Sequence, residues 1–190
     1  MAKIKDLTQA ASGGCDNKIG GVVKMWIGRL TDFTSLTMTA TTGIYELTAF
    51  VMTADYLGVY TFSDNKTAFA NETPGEVGAA NDIQISCEYE GLTATKGQTL
   101  DELRKECGLF AFVKYKSGQI KLFGIDVTDW ATSTAEDATT VLRAKAGSQS
   151  GVGNNDYEKY TLELVGQMKR IAVHCKTATF GEDELDALAA

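Results

Sequence analysis

The histidine of this chain that could do chemistry stands beside a cysteine, as His174–Cys175. A histidine that takes the proton of a cysteine thiol is the arrangement of a cysteine nucleophile. Adjacent residues of a strand point to opposite faces, so His174 and Cys175 cannot form that pair with each other. Nothing in the spacing requires His174 to meet Cys15, Cys87 or Cys107. We therefore interpret His174 as an ordinary strand residue.

The four cysteines lie far apart in the sequence, and none has the C-x-x-C spacing of a zinc or redox site. We expect isolated thiols in a reducing compartment. The segment Asp16–Gly21 shares only its opening with a calcium-binding loop. The sequence therefore predicts neither a metal site nor a cofactor.

Carboxylates near one another in sequence could suggest glycosidase chemistry, which needs two of them facing one cleft. The candidate pairs are Asp126 with Asp129, and Glu136 with Asp137. Their proximity along the chain does not create a cleft, and we interpret them as solvated loop charges. The common nucleotide-binding, metalloprotease and serine-hydrolase motifs are missing from the sequence. We therefore predict no catalytic residues and no enzyme.

Three aromatic residues, Trp26, Trp130 and Tyr157, could form a platform for a sugar. Aromatic residues make up 9% of the chain, which is ordinary, and most aromatics belong in a core. A β-sandwich module that binds a glycan or a peptide remains an alternative function.

The 190 residues carry a net charge of −7, and their lysines and arginines are spread singly. Without a basic stripe to collect phosphates, sequence-specific DNA binding is disfavoured. The chain contains no apolar run near the ~20 residues of a membrane helix. Its first residues lack the apolar core of a secretory signal. We expect a single domain over 1–190 that binds no membrane.

Strand patterns dominate the first half of the chain. Gly20–Leu30 and Gly43–Met52 are rich in β-branched and aromatic residues. Strict alternation over Asp82–Leu92 predicts a half-buried antiparallel strand. Four polar residues, Ser63–Lys66, separate two short β-type runs and predict a hairpin, while Pro74 marks a loop.

One helix is predicted between these strands and the next hairpin. Thr99 and Glu102 match a capping box, with Leu100, Leu103 and Cys107 as its apolar stripe. A following glycine, Gly108, predicts that the helix ends after about two turns.

A second hairpin follows, in which Gly118 occupies the left-handed position of a three-residue turn. We expect the rings of Phe110, Phe112 and Phe123 to supply much of one packed face.

The last third of the chain alternates strands with polar segments. Thr139–Ala146, Tyr157–Met168 and Arg170–Phe180 are predicted strands. Between the first two, Gly147–Asp156 is too polar and glycine-rich to bury a core, and it is predicted to be a flexible loop. Gly181–Ala190 is predicted to be a short helix or an acidic tail, because four of the five residues from Glu182 to Asp186 are acidic.

This order resembles that of tail tube and related ring-forming virion proteins of tailed bacteriophages. The likeness spans roughly Gly20–Lys176. It is carried by Val113–Ile125, with its strand, polar glycine turn, strand and glycine, and by Gly151–Gly166, with its return strand. The acidic tail from Glu182 departs from the family pattern.

The resemblance implies a mainly β fold, an antiparallel β-sandwich or small barrel with one short flanking α-helix. It also implies a non-enzymatic virion protein, assembled in the host cytoplasm, that forms rings or a tube through which DNA passes. Its partners would be copies of itself, in a ring such as a hexamer, and other tail or neck proteins. Free arms for such assembly are predicted at residues 1–20, 147–156 and 181–190. A capsid decoration or head-completion protein is a further alternative.

Overall fold

A computed structural model describes residues 21–41, 44–53, 57–61, 68–76, 79–90, 93–126, 132–134, 142–149, 159–170 and 172–189. The helices of these residues are α1 (Ala94–Lys105) and α2 (Glu182–Ala187), with a 3₁₀ turn at Leu30–Asp32. The strands are β1 (Val22–Arg29), β2 (Phe33–Thr41), β3 (Ile44–Met52), β4 (Gly58–Thr61), β5 (Ala68–Thr73), β6 (Asn81–Glu90), β7 (Leu109–Tyr115), β8 (Ile120–Phe123), β9 (Thr132–Thr134), β10 (Arg143–Gln149), β11 (Lys159–Met168) and β12 (Val173–His174).

The described strands form three open sheets whose neighbouring strands are antiparallel. The central sheet has the order β12-β8-β7-β1-β4, the outer sheet β10-β11-β6-β5 and the small sheet β3-β2-β9. Their ends do not join into a closed barrel. The predicted antiparallel β-sandwich with a flanking helix is therefore confirmed, in the form of a central sheet covered on both faces.

Alternate residues of the central strands point to opposite faces of the sheet. One face of the central sheet therefore packs on the outer sheet and the other face packs on the small sheet. Every residue of β7 from Leu109 to Val113 is buried. Strands buried on both faces are typically near-continuous apolar runs, as here. One core cluster, between the central and outer sheets, contains Met25, Ile27, Ala111, Val113, Phe123, Ile83, Ile85, Leu162 and Leu164. The other, between the central and small sheets, contains Trp26, Phe110, Phe112, Leu122, Leu36, Met38, Leu47 and Phe50.

The β7–β8 hairpin has the predicted turn, and Gly118 lies at a φ of 83°. The prediction that its phenylalanines share one face is wrong. Phe123 pairs with Ala111, whereas Phe112 pairs with Leu122. Directly paired residues share a face, so Phe123 lies against the outer sheet while Phe110 and Phe112 lie against the small sheet.

A β-bulge explains why β3 alternates poorly in sequence. Thr37 pairs with Ala49 and Met38 with Leu47, which leaves Thr48 as the extra residue. An extra residue shifts the side-chain alternation by one position. Leu47 and Phe50 therefore both face the core although they are three residues apart.

The predicted hairpin around Ser63–Lys66 is wrong, although those residues themselves lie outside the described part of the chain. β4 pairs with β1 in the central sheet, and β5 pairs with β6 in the outer sheet. The two runs therefore belong to different layers. The strand predicted over Asp82–Leu92 is present as β6, with Ile83, Ile85 and Cys87 buried, and Pro74 lies in a loop as expected.

Helix α1 begins earlier than predicted. The N-cap is Thr93, whose Oγ1 accepts a hydrogen bond of 3.3 Å from the amide of Lys96. Thr99 lies inside the helix, where its hydroxyl donates to the carbonyl of Thr95. The 12-residue helix is thus about one turn longer than expected. Leu100 is buried, but Cys107 is exposed and lies outside the helix, so it is not part of an apolar stripe.

The end of the chain differs most from the sequence prediction. Gly147 to Gln149 belong to β10 and pair with Thr161 to Lys159 of β11, so this part of the predicted flexible loop is strand. Positions 150–158 and 1–20 lie outside the described residues. Gly181–Ala190 is not a free arm, because its residues 182–187 form α2 and Leu185 is completely buried.

Candidate functional site

Helix α2 is fastened to the central sheet by a compact group of charged side chains. Asp186 accepts a 2.9 Å hydrogen bond from Nε1 of Trp26 and a 2.7 Å bond from Nζ of Lys24. Glu182 contacts Lys24 at 3.0 Å and also pairs with Lys114. Lys24 and Lys114 are direct neighbours across β1 and β7, and the two carboxylates offset the repulsion between them.

We call the group of Lys24, Trp26, Lys114, Glu182 and Asp186 the α2 clasp. Its charged members shift one another's pKa values. Partial burial works against the ionised forms of Lys24 and Asp186. The hydrogen bonds and charges of Asp186 and Glu182 together outweigh that cost for Lys24, so its pKa is raised. Hydrogen bonds from Lys24 and Trp26, with the charges of Lys24 and Lys114, together outweigh it for Asp186, so its pKa is lowered. Hydrogen bonds from Lys114 and Lys24 lower the pKa of Glu182. The clasp is therefore ionised and intact at neutral pH.

The clasp also decides the role of Trp26. This side chain is completely buried, and its polar edge is used by Asp186. A sugar platform needs an exposed ring, so Trp26 cannot serve as one. Trp130 and Tyr157, the other aromatic candidates, lie outside the described residues.

The structure does not assemble a cysteine–histidine pair from the described residues. Nδ1 of His174 lies 3.1 Å from Oε1 of Gln119, and the thiol of Cys87 donates to the carbonyl of Leu162. Burial, followed by the charge of Lys121, lowers the pKa of His174. Burial raises the pKa of the Cys175 thiol, which makes it a poor nucleophile. Cys15 lies outside the described chain.

Asp126, interpreted from the sequence as a solvated charge, is instead 3% exposed. One of its oxygens accepts a 2.7 Å hydrogen bond from the amide of Lys169, which ties the end of β11 to the segment after β8. The positions of Asp129, Glu136 and Asp137 lie outside the described residues.

The described residues contain neither a cluster of metal ligands nor a membrane-length helix. No group of three or more His, Cys, Asp or Glu side chains there could hold a metal ion. Neither α1 nor α2 has the length and apolar character that crossing a bilayer requires.

The open sheet edges form the candidate functional surface. β4 ends the central sheet and β5 ends the outer sheet, and each is paired on one side only among the described strands. Both carry a large exposed apolar side chain, Val59 at 44% and Phe69 at 43% exposure. An exposed edge with unpaired amides and carbonyls is a template for pairing with another chain. We call β4 and β5 together the edge surface.

Sequence reasoning missed the residues that matter most here. Phe69 stands between Ala68 and Ala70, and the alanines face the core while the large ring faces solvent. The alternation of these residues was visible in the sequence. Large apolar residues are usually assumed to be buried, however, and that assumption would place Phe69 in the core and the two alanines in solvent. No sequence signal linked Lys24 with Asp186, because 162 residues separate them.

No family model, no curated protein and no solved structure matches the chain.

Proposed function

We propose that this chain is a non-enzymatic structural protein of a tailed-bacteriophage virion, which assembles with copies of itself into the rings or tube of the tail or neck. The observation that carries the proposal is the edge surface, where two sheets end in strands with large apolar side chains in solvent. The order of strands, hairpin and single helix along Gly20–Lys176, which resembles that of tail tube proteins, adds support.

Edge surfaces of this kind are costly for a protein that stays monomeric. Natural sheets protect their edges with charged residues, prolines or covering elements, because unprotected edges aggregate. β4 has the sequence GVYT and carries no charge at all. Pairing between copies would satisfy its backbone groups and cover Val59 at the same time.

The acidic character of the chain fits the passage of DNA. A net charge of −7 on each copy would repel phosphates over the ~8 to 10 Å reach of electrostatics at physiological salt. A tube with such a wall would conduct DNA without binding it. Contacts with other tail or neck proteins, and arms formed by residues 1–20, belong to the same proposal. The docked helix α2 is not one of these arms, since it is held by its own chain.

Electron microscopy and light scattering test this proposal directly. We expect the purified protein to form rings or short tubes in negative stain and a concentration-dependent oligomer in solution. Val59→Lys and Phe69→Lys place a charge on each edge and should shift the protein toward monomer.

Thr37→Lys is the matched control, because Thr37 is also exposed but lies on β2, which is paired on both sides. The control should assemble normally. A wild-type protein that stays monomeric at high concentration would refute the proposal. Edge variants that assemble as well as the control would refute the edge surface as the contact between copies.

A further inference from the structure

A second surface of the molecule combines cationic and apolar side chains. The end of β11 and the start of β6 meet the start of β3 and the strand β12 around a groove of about 610 Å³. Its lining includes Tyr45, Asn81, Lys169, Arg170 and His174. We call it the β3–β12 groove.

The groove stands out because the rest of the chain is acidic. Its lining includes the ammonium of Lys169, the guanidinium of Arg170 and the amide of Asn81, and it includes no carboxylate. The nearby carboxylate Glu72 is already used, since it pairs with Lys121 at 3.0 Å and accepts a 2.6 Å hydrogen bond from the amide of Ala172. Glu46 acts on His174 from the neighbouring strand. Lys169 is exposed and has no ion-pair partner among the described residues.

An exposed aromatic side chain lines the same groove. Tyr45, at the start of β3, is 39% exposed. Protein interfaces are enriched in tyrosine and arginine at their centres, where an aromatic ring supplies contact area and a guanidinium supplies directional bonds. The mixture at this groove therefore fits a protein partner with acidic groups.

The same chain presents a matching acidic face. In α2, Glu182 and Asp186 are one helical turn apart and face the central sheet, where Lys24 binds both. Asp183 and Glu184 are exposed instead. Glu184 caps its own helix by accepting from the amide of Gly181, whereas Asp183 has no cation within ion-pair distance in the described chain.

We propose that the β3–β12 groove binds the exposed acidic side of α2 from a second copy of this chain, through Lys169 and Asp183. This inference rests on the proposed function and names a partner surface within it. The contact joins two different surfaces, so it is heterologous, and repeated heterologous contacts generate closed rings or helical tubes.

Cross-linking tests the contact without requiring particles to be visible. Protein labelled with ¹⁴N and with ¹⁵N is mixed and treated with a carbodiimide, which joins amines to carboxylates in direct contact. Mass spectrometry should find a mixed-isotope peptide that links Lys169 to Asp183, and the yield should fall at high salt because exposed charges are screened. Absence of this mixed-isotope link overturns the inference.

Charge-reversal substitutions provide a second test of the contact. Lys169→Glu and Asp183→Lys should each weaken self-association about tenfold, because attraction becomes repulsion. The double variant should recover most of the loss. Lys116→Glu is the control, since Lys116 is exposed in the turn between β7 and β8 and does not line the groove.

The outcomes separate the two proposals. Normal assembly of Lys169→Glu overturns the groove contact and leaves the edge surface standing. Binding of a short DNA duplex that depends on Lys169, without the mixed-isotope link, also overturns it and assigns the groove to phosphate. Failure of the edge variants to affect assembly, with the cross-link present, counts against the edge surface alone.

Discussion

Two glycines share an unusual backbone conformation but differ in their surroundings. Gly118 and Gly124 have φ values of 83° and 88°, where residues with a side chain are strained. A Cβ on Gly118 would meet no atom within 4 Å. A Cβ on Gly124 would lie 2.8 Å from the carbonyl oxygen of Leu109 and 2.9 Å from Cγ of Leu142.

These surroundings predict different costs for the same substitution. Gly118→Ala should lower the free energy of unfolding by about 1 kcal/mol, the penalty of the left-handed backbone alone. Gly124→Ala adds a clash with backbone in a packed region and should lower it by about 3 kcal/mol. Urea unfolding at equilibrium measures both variants, and equal losses would contradict the crowding seen at Gly124.

The sequence predicted one of these positions and not the cost of the other. The turn of the hairpin identifies Gly118, because strand, polar turn and strand are local features. The crowding at Gly124 depends on Leu142, which reaches β7 through a bridge with Leu109. Contacts between distant segments have no local signature.

At the scale of elements, tertiary packing decides where α1 begins. The hydroxyl of Tyr160 on β11 donates a hydrogen bond to the carbonyl of Thr93. A Cβ on Gly97 would lie 2.8 Å from the hydroxyl oxygen of Tyr160. The first turn of the helix is therefore docked closely on β11. The capping-box pattern at Thr99 predicts a helix start from local sequence alone. Docking of the preceding turn on β11 instead extends the helix back to Ala94.

Threonine substitutions distinguish the two possible starts. Thr93→Ala removes the cap and should lower the free energy of unfolding by about 1 kcal/mol. Thr99→Ala removes only a bond to the carbonyl one turn earlier and should change it by less than about 0.5 kcal/mol. Urea titration of the two variants decides; a larger effect at Thr99 would favour the later start.

For the strands as well, features set by neighbouring residues were predicted from the sequence, whereas pairing between distant segments was not. The alternation of β6 and the turn of the β7–β8 hairpin are local, and the sequence predicted both. The partners of β4 and β5 were mispredicted, because a polar turn between two short runs does not determine whether they pair with each other. The candidate edge surface depends on that difference and was therefore invisible in the sequence.

The α2 clasp predicts a pH dependence of stability. Asp186 and Glu182 have pKa values below their ordinary 3.8 and 4.5 in the folded protein. Their contribution is thus present above these ordinary values and is lost as the pH falls through the lowered ones. Lys24 has a raised pKa, so its contribution is lost only as the pH rises beyond 10.5. The clasp should stabilise the protein throughout the neutral range.

Neutral replacements measure the clasp. The double variant Glu182→Gln, Asp186→Asn should lose about 1 kcal/mol of unfolding free energy at neutral pH, a modest value because both carboxylates are partly exposed. The difference between the variant and the wild type should shrink progressively as the pH falls below the ordinary values of 4.5 and 3.8. Glu76→Gln, at an exposed carboxylate outside the clasp, is the control. An unchanged gap between wild type and the double variant at low pH would contradict the assignment.

At the scale of the whole molecule, the layering sets the order in which parts open. β7 lies between β1 and β8 and is covered by both core clusters, whereas β4 and β5 are held from one side. Local opening costs least where few buried contacts must be broken. The monomer should therefore combine one very stable strand with two easily opened edges.

Hydrogen exchange reads this hierarchy residue by residue. Amides of Leu109–Val113 should exchange slowest, near the rate set by global unfolding, and those of β4 and β5 at least about tenfold faster. Assembly should then slow exchange selectively in β4 and β5, because the carbonyls of a neighbouring strand would accept hydrogen bonds from their amides. Exchange in β7 should change little. The Val59→Lys variant is the control, since it should lack this selective protection. Slow exchange of β4 in isolated monomers would mean that the edge is already closed, and protection confined to other strands on assembly would place the contact between copies elsewhere.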